Sequence, residues 1–263
     1  MRRRATMTLR GNKDLLKEVF EKVKNYATSA ELIANLRITI YQDTVGFKIL
    51  MDEINAHDIK YTFAEGREYT KEELKAAVFF DMEIIYPWES DGKTAEKFGT
   101  MYKNTCKSCS IGKNQISDLI IDTKKAAKYD ICIIQPEIII NERIYNLINE
   151  NSLTGCNFRP IKDFKGREEV VLYQLLITNV LPSMSKNISV EIVDGFKCGE
   201  CKRNGEILRS EVIYDNTSLH EASDFNLTQE YFGLNLYCGR NIIVSSKVYS
   251  LFNKIRLNEN KIK

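Results

Sequence analysis

The sequence predicts an α+β protein: an N-terminal α/β region over residues 1–95, then, over residues 96–263, a duplicated module of zinc knuckle, strand and helix. Three observations carry this expectation. Helical and extended patterns alternate through the first hundred residues. The pair Cys106-x-x-Cys109 recurs as Cys198-x-x-Cys201. Finally, "PEIIINERIYNLINENSL" (Pro136–Leu153) lines up without a gap on "RNIIVSSKVYSLFNKIRL" (Arg240–Leu257).

In chain order, the basic opening Met1–Arg4 reads as a solvated tail. "NKDLLKEVFEKVKNYA" then puts Leu15, Leu16, Val19, Phe20 and Val23 on one face and predicts a helix over residues 12–33. "LRITIY" predicts a strand, "GFKILMDEINAH" a short helix and "DIKYTF" a strand. "TKEELKAAVFF" predicts a helix opened by Thr70, with Glu73 placed for a capping box, and "DMEIIYPW" a further strand. The polar, glycine-bearing "ESDGKTAEKFGTMYKN" places a boundary between residues 88 and 103.

Beyond it each Cys pair is followed by a short strand-like stretch, "SDLIID" ending at Asp122 and "SEVIYD" ending at Asp215. In the aligned segments Ile138, Ile139, Tyr145, Leu147, Asn149 and Leu153 recur as Ile242, Ile243, Tyr249, Leu251, Asn253 and Leu257. Both read as a β-branched strand, a cap at Asn141 or Ser245, and an amphipathic helix. "REEVVLYQLLITNVLP" and "ISVEIVDGFKC" supply two more strands.

Composition narrows the function classes. Apolar residues make up 43% and charged residues 28%, which is a globular balance rather than a disordered one. The 38 basic and 36 acidic residues leave a net charge of +2 with the signs interspersed, so the basic stripe of a nucleic-acid binder is weak. No apolar run is long enough to span a bilayer and the N-terminus lacks a secretion-signal core, so the expected location is the cytoplasm. In that reducing compartment seven cysteines serve as thiols, metal ligands or redox groups rather than structural disulfides.

Two thiolates two residues apart suit one metal ion, and a closed structural site needs four ligands. The two histidines, His57 and His220, have no useful spacing to either pair. The economical solution joins Cys106, Cys109, Cys198 and Cys201 in one tetrahedral site, holding structural zinc, with iron as the other ion compatible with the ligands. Thioredoxin-like redox chemistry is the competing reading, and it requires a pair that opens directly into a helix. Both pairs here lead into polar, glycine-bearing turns.

Other features point to structure rather than chemistry. Cys132, Cys156 and Cys238 sit in apolar or turn contexts and read as buried thiols. "SIGKNQ" lacks the spacing of a phosphate loop and reads as a surface turn. The adjacent pairs Glu72/Glu73 and Glu168/Glu169 read as solvated charge, Trp88 as packing at a junction, and "NLTQEYFGLNLY" as a half-buried strand. No catalytic set emerges.

With the knuckles, "EIIINERIYNLI" and "LTGCNFRPI" in view, including Thr154, Gly155, Phe158 and Pro160, the chain resembles the double-CXXCG motif proteins and related bacterial toxin-immunity domains. The resemblance covers residues 100–257, and Ser110 and Lys202 stand where the motif has glycine after each pair. It implies a non-enzymatic cytoplasmic protein-binding protein that neutralises a cognate toxin and uses its cysteines structurally. The alternative is a nucleic-acid-binding regulator whose knuckles present Lys103, Lys107, Lys113, Lys197, Lys202 and Arg203. The N-terminal region has no assigned role.

Overall fold

The computed structural model describes residues 2–87, 94–103, 106, 108–109, 111–168, 171–215, 219–234, 238–255 and 261–262. The chain is of the α+β class, with antiparallel sheets predominating, and it divides into two compact units. The first runs to Ala77 and takes in Ile188–Val190 and Leu208–Glu211; the second holds the rest.

The first unit runs β1 (Arg2–Arg10), α1 (Lys13–Val23), β2 (Ala27–Leu32), β3 (Leu36–Tyr41), α2 (Val45–Ala56), β4 (Lys60–Glu68) and α3 (Lys71–Ala76). Its antiparallel sheet has the order β2-β3-β1-β4, the split βαβ arrangement. Helices α1 and α2 cover one face, where Ala5, Met7 and Leu9 of β1 and Leu36, Ile38 and Ile40 of β3 meet Leu16, Val19, Leu50 and Ile54.

Expectations for three segments are corrected here. The basic opening is not a tail: alternation of Ala5, Met7 and Leu9 with Arg4, Thr6 and Thr8 has the period of a strand, and β1 takes a central place in the sheet. The helix expected over residues 12–33 stops at Val23. Asn12 caps its start by accepting from the Asp14 and Leu15 amides. Residues 27–32 form β2 instead, where the Thr28 hydroxyl donates to the Thr39 carbonyl (3.0 Å) and Ala30 and Leu32 pair with Ile38 and Leu36. The helix expected over "TKEELKAAVFF" opens with the reciprocal capping box of Thr70 and Glu73 but ends at Ala76, and Phe79 and Phe80 begin the strand Phe79–Glu83, which stops short of the rest of "DMEIIYPW".

The second unit opens with β5 (Phe79–Glu83), α4 (Thr94–Lys97), β6 (Tyr102–Lys103), β7 (Asn114–Gln115), β8 (Ile120–Ile121) and α5 (Thr123–Ala126). It continues through β9 (Ile131–Ile134), β10 (Glu137–Asn141), α6 (Glu142–Glu150), β11 (Cys156–Pro160), β12 (Lys162–Asp163) and β13 (Leu172–Ile177). It ends with β14 (Val190–Val193), β15 (Gly205–Leu208), β16 (Phe225–Leu227), β17 (Ile242–Ser245), α7 (Ser246–Ile255) and β18 (Lys261–Ile262). "SDLIID" supplies only the two-residue β8, and "SEVIYD" forms no strand among its described residues. The division falls after Ala77, ahead of residues 88–103, because β5 is hydrogen-bonded between β17 and β18.

Two four-stranded sheets, β11-β13-β10-β9 and β16-β17-β5-β18, carry one helix each. Their local geometry corresponds closely. Asn141 caps α6 through the Ile144 amide and donates to Asp130 (3.0 Å); Ser245 accepts from the Val248 amide and donates to Asp224 (2.6 Å). Tyr145 stacks on Tyr173 of β13 at 4.0 Å, and Tyr249 on Phe80 of β5 at 3.8 Å. Tyr173 is registered against Ile140 and Phe80 against Val244, the positions that correspond in the two segments.

Reciprocal contacts join the two halves. Arg143 in the first turn of α6 donates to the Ile255 carbonyl at the end of α7, and Lys247 in the first turn of α7 donates to the Asn151 carbonyl at the end of α6 (2.6 and 2.7 Å). A cation at a helix C-terminus meets unpaired carbonyls and the negative end of the helix dipole. Thr154 adds two more bonds, its amide and hydroxyl both donating to the Asp224 carboxylate.

The fully buried Asp163 side chain clasps a separate region. It accepts from the Thr123 amide and hydroxyl, the Lys165 amide and the Arg167 guanidinium, which also reaches Asp122. The Arg167 guanidinium holds this carboxyl well below the usual carboxylate range. Asp163→Asn is expected to destabilise the fold by about 3 kcal/mol, read from urea unfolding at neutral pH. A depressed carboxylate contributes its full stabilisation above the unfolded pKa, so the gap between variant and parent narrows only below about pH 4.

Gly155 has a φ of 83°, and a Cβ there would lie 2.2 Å from the Phe225 carbonyl oxygen. Gly155→Ala is expected to cost about 2 kcal/mol or more, measured the same way.

Candidate metal centre

Each Cys-x-x-Cys pair lies in the loop of a two-stranded hairpin, the first between β6 and β7 and the second between β14 and β15. Neither opens into a helix, so neither has the helix N-terminus that lowers a redox thiol's pKa. The loops bring all four sulfurs within 4.8 Å of one another. The Sγ–Sγ distance is 3.5 Å for Cys106–Cys198 and 3.6 Å for Cys109–Cys201. A disulfide needs about 2.05 Å, and all seven cysteines are free. Four thiolates on a tetrahedral ion at about 2.3 Å stand about 3.8 Å apart. The cluster therefore fits a four-cysteine metal site, and four protein donors complete the coordination.

Backbone amides prepare the sulfurs for charge. The N–H groups of Cys201 and Glu200 draw the Cys198 thiol down to about 6. Burial pushes Cys106 and Cys109 up, against amide hydrogen bonds from Cys109 and Ser108 to the first and from Ile111 to the second. Such N–H groups orient and stabilise ligating thiolates. The second turn closes through Cys198 N–H to the Arg203 carbonyl (2.8 Å) and Lys202 N–H to the Cys198 carbonyl (3.1 Å). Lys202 adopts a left-handed backbone (φ 63°) that favours glycine, at a cost of about 1 kcal/mol. Gly112, with φ 76°, turns the chain after the first pair.

Three residues of the site carry no motif of their own. The Glu200 carboxylate crosses to the first knuckle and accepts from the Ser108 amide (3.0 Å), the Ser108 hydroxyl (3.3 Å) and the Cys106 thiol (3.5 Å). Metal ligation removes the thiol hydrogen, leaving the two Ser108 donors. Arg203 points inward, donating to the Tyr231 and Gly233 carbonyls and to Cys238 Sγ at 3.2 Å. Cys238 is half-buried, and with Cys109, Cys198 and Arg203 it lines a cleft of about 110 Å³ beside the cluster.

Other residues singled out from the sequence fall elsewhere. Cys132 is buried in the core, which pushes its thiol up to about 12, whereas Cys156 is only half-buried at about 11. Lys113 corrects the surface-turn reading of "SIGKNQ": its side chain is 4% exposed, paired with Glu96 and 4.1 Å from the Tyr102 ring. His57 and His220 are exposed, His57 lying 3.7 Å from Glu53. Glu73 serves its helix cap and Glu168 is exposed. Trp88, Lys107, Ser110, Glu169, residues 235–237 and Leu257 lie outside the described residues.

The purified chain is expected to carry one metal ion, measured by elemental analysis. Cys198→Ser should reduce this to a small fraction and lower the melting temperature, whereas Cys156→Ser should leave the metal content unchanged. No protein-family model matches the chain, and no curated protein is significantly similar to it.

Proposed function

We propose that this chain is a non-enzymatic, zinc-stabilised cytoplasmic protein-binding protein, of the kind that neutralises a cognate bacterial toxin. The observation that carries the reading is the closed four-thiol cluster. With every coordination position taken by cysteine, the ion has no open site for water or substrate, and its role is to fix the two hairpins. Zinc suits this because it is redox-inert and has no geometric preference of its own to satisfy.

The finer architecture proposed is one module present twice, the second copy permuted. β9, β10, α6 and β11 correspond to β16, β17, α7 and β18, while the place of β13 is taken by β5, which precedes both copies. Support comes from the matched Asp130/Asn141 and Asp224/Ser245 pairs, the matched ring stacks and the exchanged helix-end contacts. The reciprocal pattern is that of an isologous dimer fused into one chain.

The resemblance to the double-CXXCG motif and immunity-type proteins suggests the partner class. Geometry favours it over the nucleic-acid reading. Of the six basic residues near the knuckles, Lys113 is buried on Glu96, Arg203 is bonded inward, and Lys202 donates to the Gly199 carbonyl (2.6 Å). Among the described residues that leaves Lys103, Lys197 and Lys202 exposed, too few for strong phosphate neutralisation. No helix among the described residues is long and apolar enough to cross a membrane.

Co-expression with the product of the neighbouring gene tests the reading. A stable stoichiometric complex and suppression of that product's toxicity are expected, together with a colourless, zinc-containing protein. Turnover that depends on a defined residue of this chain, with no stable complex, would overturn the function; a red iron-thiolate spectrum would overturn the metal.

A further inference from the structure

The arginine-rich opening of the chain is not absorbed by the metal centre, and its strand shapes the uncovered side of the first unit's sheet. Both helices occupy the face of Ala5, Met7 and Leu9, so residues of the other parity on β1, β3 and β4 project from the opposite face. Register sets three cations around two threonines at one end of that face. Arg10 is opposite Lys60, and Thr8 lies between Arg37 on one side and Thr62 on the other.

Like charges directly opposite one another destabilise a sheet. The nearer arginines are neutralised, Arg2 by Asp43 and Arg4 by Glu68. Arg10, Arg37 and Lys60 are all exposed, and among the described residues none makes a side-chain hydrogen bond or ion pair. Glu31 is registered against Arg37, but the two form no ion pair. A shallow depression of about 560 Å³, which Glu31 also lines, continues from Arg37 past Thr6, Thr28 and Thr39 toward Arg4.

We infer that this face binds an acidic polypeptide segment, with carboxylates on Arg10, Arg37 and Lys60 and hydrogen bonds from the threonine hydroxyls. Sheets that read single-stranded nucleic acid do so by stacking bases on aromatic rings. Here the central outward positions are Thr6, Thr8 and Thr39, which cannot stack; the Thr6 and Thr39 hydroxyls share one hydrogen bond (3.2 Å), which leaves one of their two protons and that of Thr8 for a ligand. Three unpaired cations fit a few side-chain carboxylates. The inference rests on the protein-binding reading only in making the ligand a polypeptide.

The test uses the full chain and three labelled ten-residue probes followed by fluorescence anisotropy: a glutamate/serine peptide, a lysine/serine peptide and single-stranded oligothymidylate. Saturable binding of the acidic peptide is expected, weakening as salt rises from about 50 to about 300 mM. Lys60→Glu and Arg37→Glu should each weaken it at least tenfold, while Lys17→Glu on the exposed side of α1 should leave it unchanged. Lys60→Glu also replaces a like-charge pair with an opposite one, so its melting temperature should not fall and misfolding cannot account for the loss.

Absent binding, equal losses in Lys17→Glu and Lys60→Glu, or preference for the oligonucleotide would overturn the inference. A failed peptide assay with the toxin complex intact would overturn this surface alone and leave the protein-binding reading standing.

Discussion

Four thiols from two turns 92 positions apart converge within 4.8 Å, and the charge they can develop is the dominant constraint on this chain. Without a cation, four neighbouring thiolates would repel, and burial works in the same direction by holding Cys106 and Cys109 protonated. Amides around Cys198 act in the opposite sense. A divalent ion held there would resolve the conflict by accepting all four sulfurs in the thiolate form. The hairpins, the Glu200 crossing to Ser108 and the left-handed Lys202 turn all serve to present the sulfurs at that spacing.

Away from the cluster, the second unit is tied together by exchange rather than by a continuous sheet. Each helix begins with a basic residue that caps the end of the other, Arg143 on Ile255 and Lys247 on Asn151. Arg143 also pairs with Asp130, so the acid that positions the Asn141 cap also orients the cation that reaches across. Local capping and long-range docking therefore share the same side chains. Removing one of them would disturb a helix start and a helix end together.

Much of this was legible in the sequence, because the signals concerned are short-range or chemically specific. Thr70 with Glu73, Asn141 and Ser245 announce helix starts through side-chain geometry a few residues wide. The four cysteines announce a common site through the narrow chemistry of thiols. Pairing at a distance was not legible. Met1–Arg4 read as a tail because its arginines outweigh the alternation of Ala5, Met7 and Leu9, whose strand value depends on β3 and β4. Residues 27–32 read as helix because α1 precedes them, and β3 decides otherwise. Lys113 looked exposed as most lysines are, and only Glu96 and the Tyr102 ring explain its burial. Glu200, inside "CGEC", has no distinguishing mark until Ser108 is beside it.

The placement of β5 also governs the order in which the chain can fold during synthesis. Phe80 and Met82 leave the ribosome early, yet the strand that receives them arrives about 160 residues later, the separation spanned by the Asn241–Asp81 hydrogen bond. Until then a short apolar strand has both edges open, the condition that favours pairing with a neighbouring nascent chain. The sheet of the first unit can close as soon as β4 is made, but the sheet that holds β5 closes only when β17 and β18 have followed. Its formation is therefore slow for its size, as expected of contacts so distant in sequence.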